Sequence, residues 1–171
     1  ESAAGSYPVE AVTTMDNVAV EVESDPNYTE VIEASRSAKR QSVADGIVAA
    51  AREIAETTDI KVICCYTQSG TTALLTARER PRVPIIAMTP LNNTARRLAL
   101  SWGVNCVQSQ PKLRFKEAVV SAVRAALAEG YATASDQVVI TAGVPFNIPG
   151  TTNILRVAPC DERMIYATDP D

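Results

Sequence analysis

The sequence predicts an α/β fold: an open, mostly parallel five-stranded sheet with helices on both faces and an antiparallel last strand. Three observations lead there. Short unbroken apolar runs alternate with stretches of helical periodicity, the pattern of strands covered by helices on both sides. The last two strand-like segments are separated only by GVPFNIPGTT, too short for a crossover helix, so that pair is expected to be antiparallel. The chain of 171 residues, 46% hydrophobic and 21% charged, is sufficient for one ordinary core.

Taken in order, residues 7–24 read as a helix, with Ser6 as N-cap, Pro8 in the first turn, and Val12, Met15, Ala19 and Val22 at helical spacing. Asp25 and Pro26 stop it, and residues 27–38 are polar and weakly patterned, as a connection between two bodies would be. A helix is expected over 43–57, its apolar face built from Val43, Ile47, Ala51 and Ile54. Val62–Tyr66 is the first strand, and a helix follows it to about Arg80 and Pro81. Val83–Met88 is the second strand, followed by a helix capped by Asn92 or Asn93 and reaching Trp102, which is read as core or interface. Val104–Val107 is the third strand, and a helix over 115–129 is closed by Gly130. Gln137–Ala142 and Asn153–Val157 complete the sheet, and an acidic tail with Asp161, Glu162, Asp169 and Asp171 ends the chain.

Composition removes several classes of chemistry. The chain has no histidine, so Ser-His-Asp and Cys-His catalysis and histidine-containing zinc sites are excluded. Cys64 and Cys65 are adjacent and would face opposite sides of a strand, Cys106 and Cys160 stand alone, and no CxxC pair exists; all four read as reduced core residues. No apolar run reaches the roughly 18–20 residues that span a bilayer, and no basic segment leads into an apolar one, so the expected location is cytoplasmic and no membrane partner is expected. Charge is segmented. Residues 1–38 carry eight acids against one base, residues 39–116 twelve bases against five acids, and residues 117–171 three bases against seven acids. An electropositive middle suits a small anion, whereas 5% aromatics with no interleaved basic cluster argue against nucleic acid.

Two loops carry candidate chemistry. Thr67, Gln68, Ser69, Gly70, Thr71 and Thr72 leave a buried strand and open a helix, combining hydroxyls, a glycine and unpaired amides. Asn147, Ile148, Pro149, Gly150, Thr151 and Thr152 repeat Gly-Thr-Thr between the last two strands. If the first strand is central and the last two lie to one side, both loops face one rim and can close around one anion. The plainer alternatives are that Ser69 caps a helix and that the second loop is an ordinary hairpin turn. Lys112, Arg114 and Lys116 could neutralise a second phosphate, and Arg96 and Arg97 read as surface or interface charges. Neither GxxxxGK[ST] nor GxGxxG occurs, and no carboxylate pair is spaced for acid–base work.

Four segments, SYPVEAVTTM, CYTQSGTTALLTARERPRVPIIAMTP, TARRLALSWGV and VVITAGVPFNIPGTTNILRV, closely resemble in content, order and spacing the C-terminal part of pyruvate kinase. The resemblance covers nearly the whole chain. It implies that residues 1–26 correspond to the end of the catalytic barrel with its final helix, residues 27–38 to a connection, and residues 39–171 to the C-terminal α/β domain. It further implies an allosteric phosphate site at Thr67–Thr72 and Pro149–Thr152, a share in a homo-oligomer interface, and contact with the enzyme's own barrel. The family's catalytic lysine and its magnesium and potassium sites lie in that barrel and have no counterpart in this sequence, so no cofactor is expected in this chain and it is expected to be inert alone. Fructose-bisphosphate-responsive relatives place an arginine near the start of the last long helix, where this sequence has Ala118. That departure favours a sugar monophosphate or AMP over fructose 1,6-bisphosphate. A purely structural, assembling domain is the alternative reading.

Overall fold

The computed structural model describes residues 1–35, 42–112, 114–146, 148 and 150–168. The chain divides into two units, Glu1–Ala38 and Lys39–Asp171. The first holds α1 (Pro8–Ser24) and α2 (Pro26–Ser35). Residues 27–35 of the expected connection 27–38 are therefore helical, and residues 36–38 lie outside the described residues. Pro26 opens α2, as suits a ring that lacks the N–H a first helical residue does not use. The Asp25 carboxylate takes the Asn27 amide at 2.7 Å, which closes the junction with α1. The N-cap of α1 is Tyr7 rather than Ser6, and it makes no side-chain capping bond. Val12, Met15 and Val22, the expected apolar stripe, are all exposed.

The second unit is the α/β body. It comprises α3 (Val43–Thr57), β1 (Ile60–Tyr66), α4 (Thr71–Arg78), β2 (Ile85–Thr89), α5 (Asn92–Leu98), β3 (Val104–Gln108), α6 (Phe115–Ala128), β4 (Gln137–Gly143), β5 (Thr152–Pro159) and α7 (Glu162–Thr168). The strands form one sheet in the order β3-β2-β1-β4-β5. Every neighbouring pair is parallel except β4 and β5, which run antiparallel with Val139 opposite Val157. The fold class expected from the sequence is the one found.

Alternation along β1 sorts its side chains between two cores. Cys64 packs with Ile86, Val119, Val123 and Ile140 on the α6 face. Cys65 packs with Ile85, Ala51, Ala73 and Leu98 on the opposite face. The two thiols thus point away from each other, and burial raises the pKa of both. At roughly 25 cal/mol per Å² of apolar area, these two layers are the main source of the fold's stability.

Several elements differ from expectation in instructive ways. Val43 is 70% exposed, and the buried stripe of α3 is Ala44, Val48, Ala51 and Ala55. The start of α3 is fixed by Ser42, whose hydroxyl accepts from the Asp45 amide at 3.2 Å while the Asp45 carboxylate accepts from the Ser42 amide at 3.1 Å. Helix α5 ends at Leu98, not Trp102, and its N-cap is Leu91 rather than an asparagine. Trp102 is half-buried, with the Arg80 guanidinium 4.4 Å above its ring. The edge strand β3 is only half-buried. Finally, Glu162, expected in an acidic tail, opens α7, whose Ile165 is fully buried against the α6 face. Arg124 of α6 donates to both Glu162 carboxylate oxygens, at 2.6 and 2.8 Å. Asp169 and Asp171 lie outside the described residues.

Candidate functional site

Topology alone brings the two glycine loops together. β1 and β4 are adjacent and parallel, so Tyr66 and Gly143 end at the same rim, and β5 begins there at Thr152 because it runs back. The rim is the carboxyl edge of the parallel strands, where open α/β sheets present helix N-termini.

Thr67 continues from β1 and is held by its own amide, which donates to the Met88 carbonyl at 3.0 Å. Its hydroxyl accepts from the Gly70 amide at 2.9 Å, turning the chain into α4. Gly70 is the N-cap, at φ +88°, and no side chain caps this helix. Ser69 is therefore not a helix cap. Its hydroxyl lies 2.9 Å from that of Thr71, at the mouth of the loop. The first intrahelical bond is Leu74 N–H to the Gly70 carbonyl, which leaves the Thr71, Thr72 and Ala73 amides without intrahelical acceptors. They carry the partial positive charge of a helix start.

The second loop meets the first through a buried hydroxyl pair, Thr72 Oγ1 and Thr152 Oγ1, 2.6 Å apart. Behind Thr72 a polar chain runs into the core. Thr76 donates to the Thr72 carbonyl at 2.9 Å and sits 3.3 Å from Cys65 Sγ, to which Thr141 donates at 3.3 Å. Gly150 adopts φ +82°, and Thr151 donates to the Ile148 carbonyl at 2.8 Å. Asn153 receives the Val144 amide at 2.9 Å and donates to the Val144 carbonyl at 2.6 Å, pinning the base of the loop.

Between the loops lies a small cleft that is partly open to solvent. Thr67, Gln68, Ser69, Thr71 and Thr72 line one wall. Gly143, Phe146, Ile148, Gly150, Thr151 and Thr152 line the other, with Tyr66 and Pro90 completing it. Phe146 meets Tyr66 edge-on, ring centroids 6.2 Å apart, so the cleft has an aromatic end beside its hydroxyl end. Burial holds the Tyr66 phenol above its ordinary pKa and hence neutral. Pro149 lies outside the described residues, as does Asn147. Gly70 itself sits behind the wall, buried against α5.

The basic candidates fare differently. Lys112, Arg114 and Lys116 are not brought into the cleft. Arg114 is exposed at the N-cap of α6, Lys112 is half-buried, and the Lys116 ammonium stands 5.0 Å over the Tyr166 ring. Ala118 is fully buried in the α6-face core. Among the described residues no charged side chain lines the cleft. What the sequence reading missed is α5: Thr94 donates to the Gln68 carbonyl at 2.8 Å, and Arg97 donates to the Ser69 carbonyl. Thr94 and Arg97 share one helix face at i, i+3 spacing, but their acceptors are distant backbone carbonyls, which leave no mark in the sequence.

Among the described residues, no three His, Cys, Asp or Glu side chains cluster to hold a metal ion, and no helix is long and apolar enough to cross a membrane.

Comparison with known proteins bears on this geometry. Residues 45–158 match the family "Pyruvate kinase, alpha/beta domain". A pyruvate kinase of Methylorubrum extorquens is 42% identical over 92% of this chain, and one of Clostridium acetobutylicum is 40% identical over 92%. A pyruvate kinase of Agrobacterium vitis is 39% identical over 99% of the chain. The chain spans about a third of the length of these relatives, 33%, 33% and 34% respectively. The solved Cryptosporidium parvum pyruvate kinase, in complex with ADP, superposes with a TM-score of 0.75 at 28% identity, covering 91% of this chain and 32% of that one. The chain belongs to the pyruvate kinase family and contains its alpha/beta domain.

Proposed function

We propose that this chain is the regulatory part of a pyruvate kinase and that the cleft between its two glycine loops takes a phosphorylated effector. The observation that carries the reading is the 2.6 Å contact of Thr72 and Thr152, which joins two Gly-Thr-Thr turns into one wall-to-wall cradle. A phosphate there would meet the Thr71, Thr72 and Ala73 amides, the Ser69 and Thr71 hydroxyls, and the Thr151 turn opposite. The Tyr66–Phe146 end would receive the apolar face of a sugar or base. With no charged side chain lining the cleft among the described residues, the site suits one phosphate better than two, which favours a sugar monophosphate or AMP over fructose 1,6-bisphosphate.

In this reading, occupancy of the cleft biases packing within a cytoplasmic homo-oligomer and against the enzyme's own barrel, and so reaches a distant active site. Phosphoryl transfer from phosphoenolpyruvate to ADP, the glycolytic reaction, belongs to the catalytic barrel. In this reading magnesium and potassium belong to that barrel as well.

Calorimetric titration with ribose 5-phosphate, glucose 6-phosphate, AMP and fructose 1,6-bisphosphate tests the proposal. Saturable binding to a monophosphate, weakened by Ser69→Ala and Thr72→Ala, is the expected result. Absence of heat with all four would leave a domain serving assembly alone. A coupled assay should detect no pyruvate formation by the 171-residue chain.

A further inference from the structure

The cleft proposed for an anion has an electrostatic gap: among the described residues its lining holds no cation. Arg97 stands directly behind it. Among the described residues it is the charged side chain hydrogen-bonded to the 67–72 loop, through the Ser69 carbonyl, and no carboxylate pairs with it. It is exposed and sits on the same face of α5 as Thr94, which binds the adjacent Gln68 carbonyl. A Cβ on Gly70 would come within 3.2 Å of the Arg97 guanidinium and 3.3 Å of both Thr94 and Leu98, so the glycine lets this helix face close against the loop.

The consequence follows from peptide geometry. In a trans peptide the carbonyl and the next N–H point in opposite directions. With the Gln68 and Ser69 carbonyls drawn onto α5, the Ser69 and Gly70 amides turn away from it. The Gly70 amide is taken by Thr67 Oγ1. The Ser69 amide is directed to the side on which Ser69 borders the cleft, and no residue of α5 borders that cleft. We infer that Arg97 is the positioning cation of the anion loop: together with Thr94 it orients the Ser69 amide toward the ligand, and its charge supplies the favourable field that the cleft lining lacks. This deepens the effector reading above and rests on it.

The test uses the full chain, inorganic phosphate and glucose 6-phosphate as probes, and the variants Arg97→Gln and Arg97→Lys. Affinity is measured at two ionic strengths, and amide chemical shifts are recorded with and without probe. Removing the charge should weaken binding roughly tenfold, as expected for a charge-assisted interaction at short range, and flatten the salt dependence. Arg97→Lys should restore the salt dependence while recovering only part of the affinity, since lysine keeps the charge and loses the planar fork. The Ser69 amide resonance should move in Arg97→Gln even without probe, in a spectrum otherwise unchanged. If the original chain binds and Arg97→Gln binds within twofold with the same salt dependence, the assignment to Arg97 is overturned while the effector site stands. If Arg97→Gln loses the dispersion of a folded spectrum, Arg97 holds the fold rather than the loop and the inference is also overturned. If the original chain binds neither probe, the effector reading fails and takes this inference with it.

Discussion

The two glycine loops share a composition and a rim, yet they are built in opposite ways. The 67–72 loop is held from outside: Thr94 and Arg97 grip its carbonyls, and Thr94, Arg97 and Leu98 wall in Gly70. Among the described residues, the 143–152 loop is held mainly by its own bonds, apart from the Thr72–Thr152 seam. Its bonds run from Thr151 to Ile148 and between Asn153 and Val144, and a Cβ on Gly150 would meet nothing within 4 Å. A loop anchored to a neighbouring helix presents its amides at a fixed angle. One held mainly by its own bonds can adjust to what the first loop holds. The division of labour that follows is geometry from the first loop and closure from the second.

The largest expected effect comes from substituting the matching glycines. Gly70→Val meets both a left-handed backbone and three close neighbours, and should abolish phosphate binding while destabilising the fold by about 2–4 kcal/mol. Gly150→Ala meets the backbone penalty alone, about 1–2 kcal/mol, and should leave affinity within a few-fold. Urea unfolding and calorimetry on both variants check the pair; equal losses would erase the contrast between anchored and self-held loops.

Next in size is the seam between them. Thr72→Val leaves the buried Thr152 hydroxyl without its partner and should cost about 1–3 kcal/mol. Thr152→Val should do the same, and the double variant should lose less than the sum, because no hydroxyl is then left stranded. Additive losses would show that the two side chains act separately.

How far these features could be read in advance depends on what each required. The directions of the strands were legible, because unbroken apolar runs such as Val62–Tyr66 demand cover on both faces and GVPFNIPGTT cannot hold a crossover; their order was not. The shared rim was legible only on the condition that the first strand is central, which the strand order meets. The buried face of α3 was misread since VADGIVAAAREIAET supports two helical stripes, and alanines give little contrast between them; the Ser42–Asp45 box, two residues in S-x-x-D spacing, was the unread signal for its start. Helix α2 looked polar because it buries little. The role of α7 hinges on a single apolar residue, Ile165, and on a charge pair with Arg124 that is 38 positions away. Arg97 was invisible as a loop contact for the same reason: its partner, Ser69, is 28 positions distant and is a backbone carbonyl, which carries no sequence signature.

The smallest expected effect lies away from the cleft, at the start of α3. The Arg78 guanidinium, 2.6 Å away, and the Ser42 hydroxyl hold the Asp45 carboxyl down at about 2. Because the folded value is below the ordinary aspartate value of about 3.9, this group adds stability above about pH 4, and that contribution fades as the pH falls toward 2. Asp45→Asn should lower stability slightly at pH 7 and shrink the decline between pH 4 and 2, as read by urea unfolding at each pH. An unchanged acid decline would remove Asp45 from the account, and neither outcome should alter phosphate affinity.

The most direct test of the central claim is a titration of isotopically labelled chain with glucose 6-phosphate, followed through its amide resonances. The account predicts that Ser69, Thr71 and Thr72 shift together with Thr151 and Thr152, saturating at one common concentration, while β3 stays still. Shifts confined to one loop, or spread over the surface without saturation, would contradict it.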